Sequence, residues 1–444
     1  MIKHLILVQI IILSIIPEFL KAQEQPFSLE TCINYAWENS TEISRANNSV
    51  EIQNAYLVQS KAERGPNLYF NGNQTLSSIN NYQDNETEGS WTNSNSANLS
   101  ISLGSEITLY NGAKLKNIIA QGKTNLAASE SNIQTQKELI SLNMLTSYIN
   151  ALLAIENVKN YEAQLKSTEK QLELAEARKS AGIISTSDFL NIKSQYASDK
   201  ATFIDAKNTL RINLVALMQL MNMPINDSFS IQEPNIDALI KNVSETDASL
   251  VYNVALGLQP TIKSALLNLE STQMDIKITK ADALPQLSLG GSIGTGYNSA
   301  MENNNFGEQF SNKVNPFIGL SLSVPIFQRK KVKTNVAIAK FQNQNEKLDL
   351  IDLKNDLRKY IEQACIDVQT ASSNYLALQE QYDAENESYQ LSDEMFTQGM
   401  INSVDFLTSK NNLVTAENKL TQAKYNVLLQ NKIIAYYMGK TILF

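Results

Sequence analysis

The 444-residue chain has one histidine, His4, and two cysteines, Cys32 and Cys365. His4 falls in a segment that reads as a secretory signal peptide, residues 1–22. Lys3 and His4 precede an apolar run from Leu5 to Ile16, broken only by Gln9 and Ser14, and the small Ala22 marks the cut. The mature chain is then expected to hold no histidine, which leaves none for a catalytic triad, a general base or a zinc site. No cysteine stands at the cut, so an N-terminal lipid anchor is not indicated. Cys32 and Cys365 each lie in a helix-like stretch, where a small buried apolar residue is the usual occupant. An exported protein could join them, but nothing in the sequence supports the bond.

Positive charge is also scarce. Lys and Arg number 37 against 45 Asp and Glu, and loss of Lys3, Lys21 and Glu18 with the signal takes the net charge from −8 to about −9. No basic patch points to nucleic acid. No Gly-rich phosphate loop and no paired-carboxylate motif stands out, so neither an enzyme nor a cofactor is expected. After the signal, no apolar stretch approaches the roughly 20 residues of a membrane-spanning helix. If the chain enters a membrane, it enters as strands.

What is present is a duplication. Ala181-Gly182-Ile183-Ile184-Ser185-Thr186-Ser187-Asp188-Phe189-Leu190 returns as Gln398-Gly399-Met400-Ile401-Asn402-Ser403-Val404-Asp405-Phe406-Leu407, displaced by 217 residues. Pro66-Asn67-Leu68-Tyr69-Phe70-Asn71-Gly72 returns as Pro285-Gln286-Leu287-Ser288-Leu289-Gly290-Gly291, displaced by 219. A period this long means two copies of a domain-sized unit. The division expected is 23–223 for the first repeat, 224–250 for a linker with a short helix of its own, and 251–444 for the second repeat.

Within each repeat the hydrophobic period changes twice. A helical pattern from Leu29 ends at Gly65-Pro66, and alternation follows: Leu68, Phe70, Gly72, Gln74 and Leu76 share one parity. After a polar run from Asn80 to Asn98 it resumes with Leu99, Ile101 and Leu103. The second repeat alternates through Leu287, Leu289, Gly291 and Ile293, then Ile318, Leu320, Leu322, Val324 and Ile326. These predict strands at about 66–80, 97–110, 285–297 and 315–327, close to the roughly 9 to 11 residues of a tilted membrane strand.

From Asn111 to Ser180 there is no proline, and the only glycines are Gly112 and Gly122. Seventy helical residues would reach roughly 105 Å. Val158, Tyr161, Leu165, Thr168, Leu172 and Ala175 step at the 3.5-residue period of a coiled coil, and so do Phe189, Ile192, Tyr196, Asp199, Phe203 and Ala206. Phe406, Leu413, Ala416, Leu420 and Ala423 repeat the second series. Each repeat therefore predicts a long antiparallel helical hairpin, with tips near 182 and 399.

Four strands cannot close on themselves, and open edges are not tolerated in lipid, where an unpaired backbone group costs several kcal/mol. Other copies must complete the barrel. Two copies give eight strands and a filled interior, whereas three give twelve and room for a channel. The expected fold is mainly α with a membrane β-barrel portion: a trimeric 12-strand barrel continuous with a 12-helix periplasmic tube.

Taken in order and in duplicate, these features resemble the TolC family of outer membrane efflux proteins over essentially the whole mature chain. The residues that carry the resemblance are Ser28-Leu29-Glu30 through Ala36-Trp37-Glu38-Asn39, the helix–strand switches at Pro66 and Pro285, Val324-Pro325-Ile326-Phe327, and above all the duplicated Gly-x-x-x-x-x-Asp-Phe-Leu turns. The resemblance implies a homotrimeric exit duct in the cell outer membrane, contacting outer membrane lipid and bearing a long periplasmic extension. Its partners would be a periplasmic adaptor (membrane fusion) protein and an inner-membrane pump of RND, ABC or MFS type, with no nucleic acid. By position, Gly182-Ile183-Ile184 and Gly399-Met400-Ile401 would be the adaptor-docking tips, and Asp188, Phe396 and Asp405 would stand at the periplasmic entrance. The two aspartates also read as helix N-caps after the turns. Well-studied members latch the entrance with a Tyr and an Arg where this chain has Phe396 and Ile401, and Thr408 replaces a second acidic ring, which implies a looser and less cation-attracting entrance. A passive trimeric porin or a stalked surface protein with a coiled-coil scaffold is the competing reading, and the duplicated turn counts against it.

Overall fold

The computed structural model describes residues 26–83, 90–240, 247–301 and 305–444. The signal peptide expected over 1–22 lies outside them, as do residues 241–246 of the segment expected to be a linker. The elements are α1 (Leu29–Asn39), α2 (Thr41–Ala62), β1 (Tyr69–Gln83), β2 (Ser90–Tyr110), α3 (Lys114–Ser180), α4 (Thr186–Leu220), α5 (Ile236–Ile240), α6 (Ala248–Leu258), α7 (Pro260–Ala281), β3 (Gln286–Asn298), α8 (Phe306–Asn312), β4 (Asn315–Ser323), α9 (Lys331–Thr397) and α10 (Ser403–Tyr437). The chain divides into two compact units, and both division points in the long helices fall inside α3 and α9.

The first unit holds residues 26–44, 134–259 and 355–444. Ser28 caps α1 by accepting from the Thr31 N–H at 3.1 Å, and Leu29, Cys32, Ile33 and Ala36 form the stripe that the helix buries. They pack with Met144, Leu145, Tyr148 and Leu152 of α3, Leu217 and Met221 of α4, and Tyr425 and Leu428 of α10. The Tyr148 hydroxyl lies 2.7 Å from the Gln232 carbonyl and 3.0 Å from that of Phe27, the one polar anchor a buried tyrosine needs. The segment expected as a linker is part of this core: Phe229, Ile231 and Ile236 are buried, and Ile231 bridges Phe27. Both cysteines are free, and burial pushes the Cys32 thiol up to about 12.

One window of α3 departs from the sequence expectation, with 18 residues at a mean hydropathy of 1.3, apolar enough to cross a membrane. Half of that window is buried inside the protein, and Met144, Leu145, Ile149 and Leu152 account for the core face of α3, so it is a core helix of this unit.

The second unit holds residues 45–133 and 260–354 and contains one antiparallel sheet in the order β1-β2-β3-β4. Its register puts the apolar parity of every strand on one face. Phe70 pairs with Leu103 and Leu103 with Ile293; Ile107 pairs with Leu289 and Leu289 with Leu320; Leu287 pairs with Leu322. The other face carries Asn71, Ser102, Gly104, Ser288, Gly290, Ser292 and Ser321.

The strand lengths differ from the expected dozen residues. β1 and β2 extend to Gln83 and back to Ser90, through the run read as a polar loop, because Asn and Ser side chains still pair across the strands, as in Ser77–Ser96 (2.7 Å) and Ser78–Asn93 (3.0 Å). β4 stops at Ser323, not 327, since Pro325 has no N–H to give the ladder. Pro66 lies just before the pairing starts, where Asn67 exchanges bonds with Glu106 (3.0 and 2.7 Å), and Pro285 directly precedes β3. Each proline thus stands where a helix has ended or a ladder begins or stops.

Candidate helical tips and channel entrance

The tips form where each long helix ends in a left-handed glycine. Gly182 has φ 71° and Gly399 φ 76°. The Gly182 N–H reaches the Lys179 carbonyl (3.0 Å) and the Ile183 N–H reaches Arg178 (2.9 Å); Gly399 and Met400 do the same to Phe396 (3.1 Å) and Met395 (2.8 Å). This is the Schellman stop, which satisfies the last carbonyls of the helix and needs a residue free to adopt positive φ. Ile183 and Met400 follow each glycine and remain 71% and 67% exposed, while Ile184 and Ile401 are half-buried.

The next helices begin four residues past the glycines. Their caps are Ser185 and Asn402, not Asp188 and Asp405, which occupy the third helical position. This corrects the N-cap reading of the aspartates. The Ser185 hydroxyl accepts from the Asp188 N–H (3.0 Å) and donates to its carboxylate (2.6 Å); Asn402 accepts from the Val404 and Asp405 N–H groups (2.8 and 2.9 Å) and donates to the Asp405 carboxylate (2.9 Å). Both are variants of the capping box, and the first-turn carboxylates also favour the positive end of the helix.

The aspartates then diverge. The second oxygen of Asp188 accepts from the Ser403 N–H (3.3 Å), and Asn191 donates to the Ser403 hydroxyl (3.1 Å), so the first tip is tied to the start of α10. Hydrogen bonds from Ser185 and then Ser403 hold the Asp188 carboxyl below the ordinary carboxylate range. Asp405 stays exposed. Phe396 stacks on the fully buried Phe406 with centroids 4.6 Å apart and planes 11° apart, and Tyr389 lies on the same ring at 6.0 Å. Phe396 therefore supports the second tip from within the chain.

Above the tips lies a buried polar cluster. Lys410 of α10, 3% exposed, donates to the Thr168 hydroxyl (2.5 Å) and to Gln171 (2.9 Å) of α3. The Thr168 hydroxyl in turn donates to Asp199 of α4, whose other oxygen accepts from Gln164 (2.9 Å) and Gln195 (2.8 Å). A cation and an anion are thus linked through one hydroxyl, and Gln171 donates on to Tyr389 of α9 (3.3 Å). Burial lowers the Lys410 ammonium to about 8, against the attraction of Asp199 and Asp393. Thr168 and Asp199 sat on the apolar stripe in the sequence, and polar residues on a core stripe are the signal that marks such a cluster. Lys410 fills the gap that the stripe leaves between Phe406 and Leu413.

Among the described residues, no group of three His, Cys, Asp or Glu side chains could hold a metal ion. What the geometry presents is paired apolar tips, capped helices beside them, and a sheet with one apolar face.

Comparison with known proteins matches this architecture. The profile of the family described as "Outer membrane efflux protein" matches residues 32–223 and 251–440, once for each repeat. Outer membrane protein TolC of Escherichia coli (strain K12) is 24% identical over 371 residues, covering 81% of this chain and 72% of its own. Alkaline protease secretion protein AprF of Pseudomonas aeruginosa is 20% identical over 319 residues, covering 72% of this chain and 65% of its own. Among solved structures, the outer membrane protein VceC of Vibrio cholerae superposes with a TM-score of 0.77 at 16% identity, covering 93% of this chain and 96% of the other. With both repeats matched and the fold shared, this chain belongs to the outer membrane efflux protein family.

Proposed function

We propose that three copies of this chain form the outer membrane exit duct of a tripartite export system. As a member of the outer membrane efflux family it is an outer membrane channel protein, and family members are transport channels. The observation that carries the trimer is the sheet. It has four strands, leaves β1 and β4 unpaired at its edges, and presents Phe70, Leu76, Ile318, Leu320 and Leu322 largely exposed on one face. Lipid would cover that face, and β4 of one copy would pair with β1 of the next, so that three copies close twelve strands without an edge. The Ser, Gly and Asn face would then line the water-filled interior.

The helical tips would dock a periplasmic adaptor through Gly182-Ile183-Ile184 and Gly399-Met400-Ile401, and an inner-membrane pump would feed the duct. Alkaline protease secretion in AprF, and pyoverdine export in OpmQ of Pseudomonas aeruginosa, which is 24% identical over 309 residues, are the tasks those relatives are named for. They support export as the class of function. Native mass spectrometry of detergent-extracted protein tests the assembly: a trimer is expected, and a stable membrane-inserted monomer would sink the reading.

The entrance charge gives a further test. Asp405 is exposed at the tip, and threefold symmetry would set three of its carboxylates around one opening, where confined like charges attract cations. Asp405→Asn should lower cation preference in single-channel recordings and weaken block by multivalent cations. Asp188→Asn should change conductance less and loosen the tip more, because Asp188 spends its oxygens on Ser185 and Ser403. Unchanged selectivity in the Asp405 variant would put that residue outside the permeation path.

A further inference from the structure

The two helical hairpins repeat each other in backbone as well as in sequence. α3 and α9 both have 67 residues, α4 and α10 both have 35, and every start and end is displaced by 217. The same displacement relates every described residue with a left-handed backbone: Gly112 and Ala113 to Arg329 and Lys330, Gly182 to Gly399, Asn222 to Gly439. A contact made inside the chain between the repeats therefore has an equivalent that the single chain leaves open.

Inside the chain, α10 packs antiparallel on α3. Asn160 donates to Thr421 (3.4 Å), Lys410 meets Thr168 and Gln171, and Ile149 and Leu429 line one groove. Displacing both helices by 217 carries this seam onto α4 and α9. Lys410 becomes Lys193, Thr168 becomes Glu385, Leu429 becomes Ile212 and Ile149 becomes Ile366. In the single chain Ile212 is 68% and Ile366 55% exposed, although Ile149 is buried. Lys193 is exposed too, and neither it nor Glu385 joins any of the ion pairs found among the described residues.

The substitutions between the seams are complementary. The internal seam answers Lys410 with Asp199 through the Thr168 hydroxyl. In the second repeat Ala416 replaces Asp199, and the carboxylate appears at the position of Thr168, as Glu385. Each set of positions keeps one cation and one anion, but the displaced set puts its acid at the place that would meet the lysine directly.

We propose that α4 of one copy docks antiparallel on α9 of the next, with Lys193 paired to Glu385 and Ile212 packed on Ile366. This rests on the homotrimer reading above and names the surface that would join its copies. The test places Lys193→Cys and Glu385→Cys in a chain made cysteine-free by Cys32→Ala and Cys365→Ala, and treats membranes with a short bismaleimide. Covalent dimers and trimers are expected at about tenfold the level given by either single cysteine, since a docked pair has a high effective concentration. Lys159→Cys with Glu233→Cys, an exposed ion pair inside one chain, should link within that chain and run as monomer, which reports on reagent and fold.

A trimer by native mass spectrometry that yields no links between copies overturns this seam and leaves the duct standing; a wild-type protein that is no trimer overturns the duct itself. Charge exchange decides independently if the cysteine pair fails to assemble. Lys193→Glu should lower the temperature at which the trimer dissociates, and Lys193→Glu with Glu385→Lys should restore it. A double variant no better than the single overturns the pairing.

Discussion

Ile183→Asp combined with Met400→Asp should abolish export while leaving assembly and membrane insertion intact. Both side chains sit beyond Schellman stops, project largely into solvent, and contribute nothing to the core of the chain. If they are anchors for an adaptor, burying each one contributes about 1.5–3 kcal/mol, so losing two per copy lowers the docking constant by well over a hundredfold. Gly182→Val with Gly399→Val should reach the same end by another route. An added Cβ meets no atom within 4 Å at either glycine, so nothing clashes, but positive φ costs an L residue about 1–2 kcal/mol and a β-branched one more. The tip would then unwind from its helix end. Dye or drug retention in cells that depend on the variant chain reads export, and native gels read assembly. Full export by both double variants would mean that the tips dock nothing.

Much of this site was readable in the sequence because turn chemistry is local. A Gly with positive φ and an acid six residues later fall within one span of ten residues, so their duplication could be seen as text, whereas the sequence alone points to the aspartates as caps and the structure gives that role to Ser185 and Asn402. The strand limits were less readable. Between Asn80 and Asn98 both parities are polar, so hydrophobic alternation vanishes although the ladder continues through backbone bonds and Ser–Asn pairs. The tie from Asp188 to Ser403 joins residues 215 positions apart in sequence, and no local pattern announces it. The packing of Phe229, Ile231 and Ile236 is of the same kind. Short apolar residues in a Pro- and Asn-rich segment read as linker, and only their packing with Phe27 and the core around Tyr148 makes them core.

Asp199→Leu should be the most destabilising single change in the helical hairpins, on the order of 3–5 kcal/mol, because it strands Lys410 as a buried cation. Lys410 would retain Thr168 and Gln171 as acceptors and lose the carboxylate behind them. Lys410→Met added to Asp199→Leu should recover most of the loss, since a buried pair exchanged for apolar side chains of similar size is close to neutral. Hydrogen exchange of peptides covering 160–175 and 403–416 in the intact assembly measures this, because the effect is confined to one seam. The pH dependence supplies an independent sign. The folded Lys410 ammonium lies at about 8, below the ordinary value of 10.5, so between those values the open state binds more protons than the closed one and local stability rises with pH. Below about pH 8 both states carry the charge, and the seam bears the full cost of burying it. Wild-type protection, corrected for intrinsic exchange, should therefore increase from pH 8 to 10 in these two peptides. Lys410→Met should flatten that slope. If Asp199→Leu leaves protection unchanged, or if the slope persists without Lys410, the cluster does not hold the four helices together.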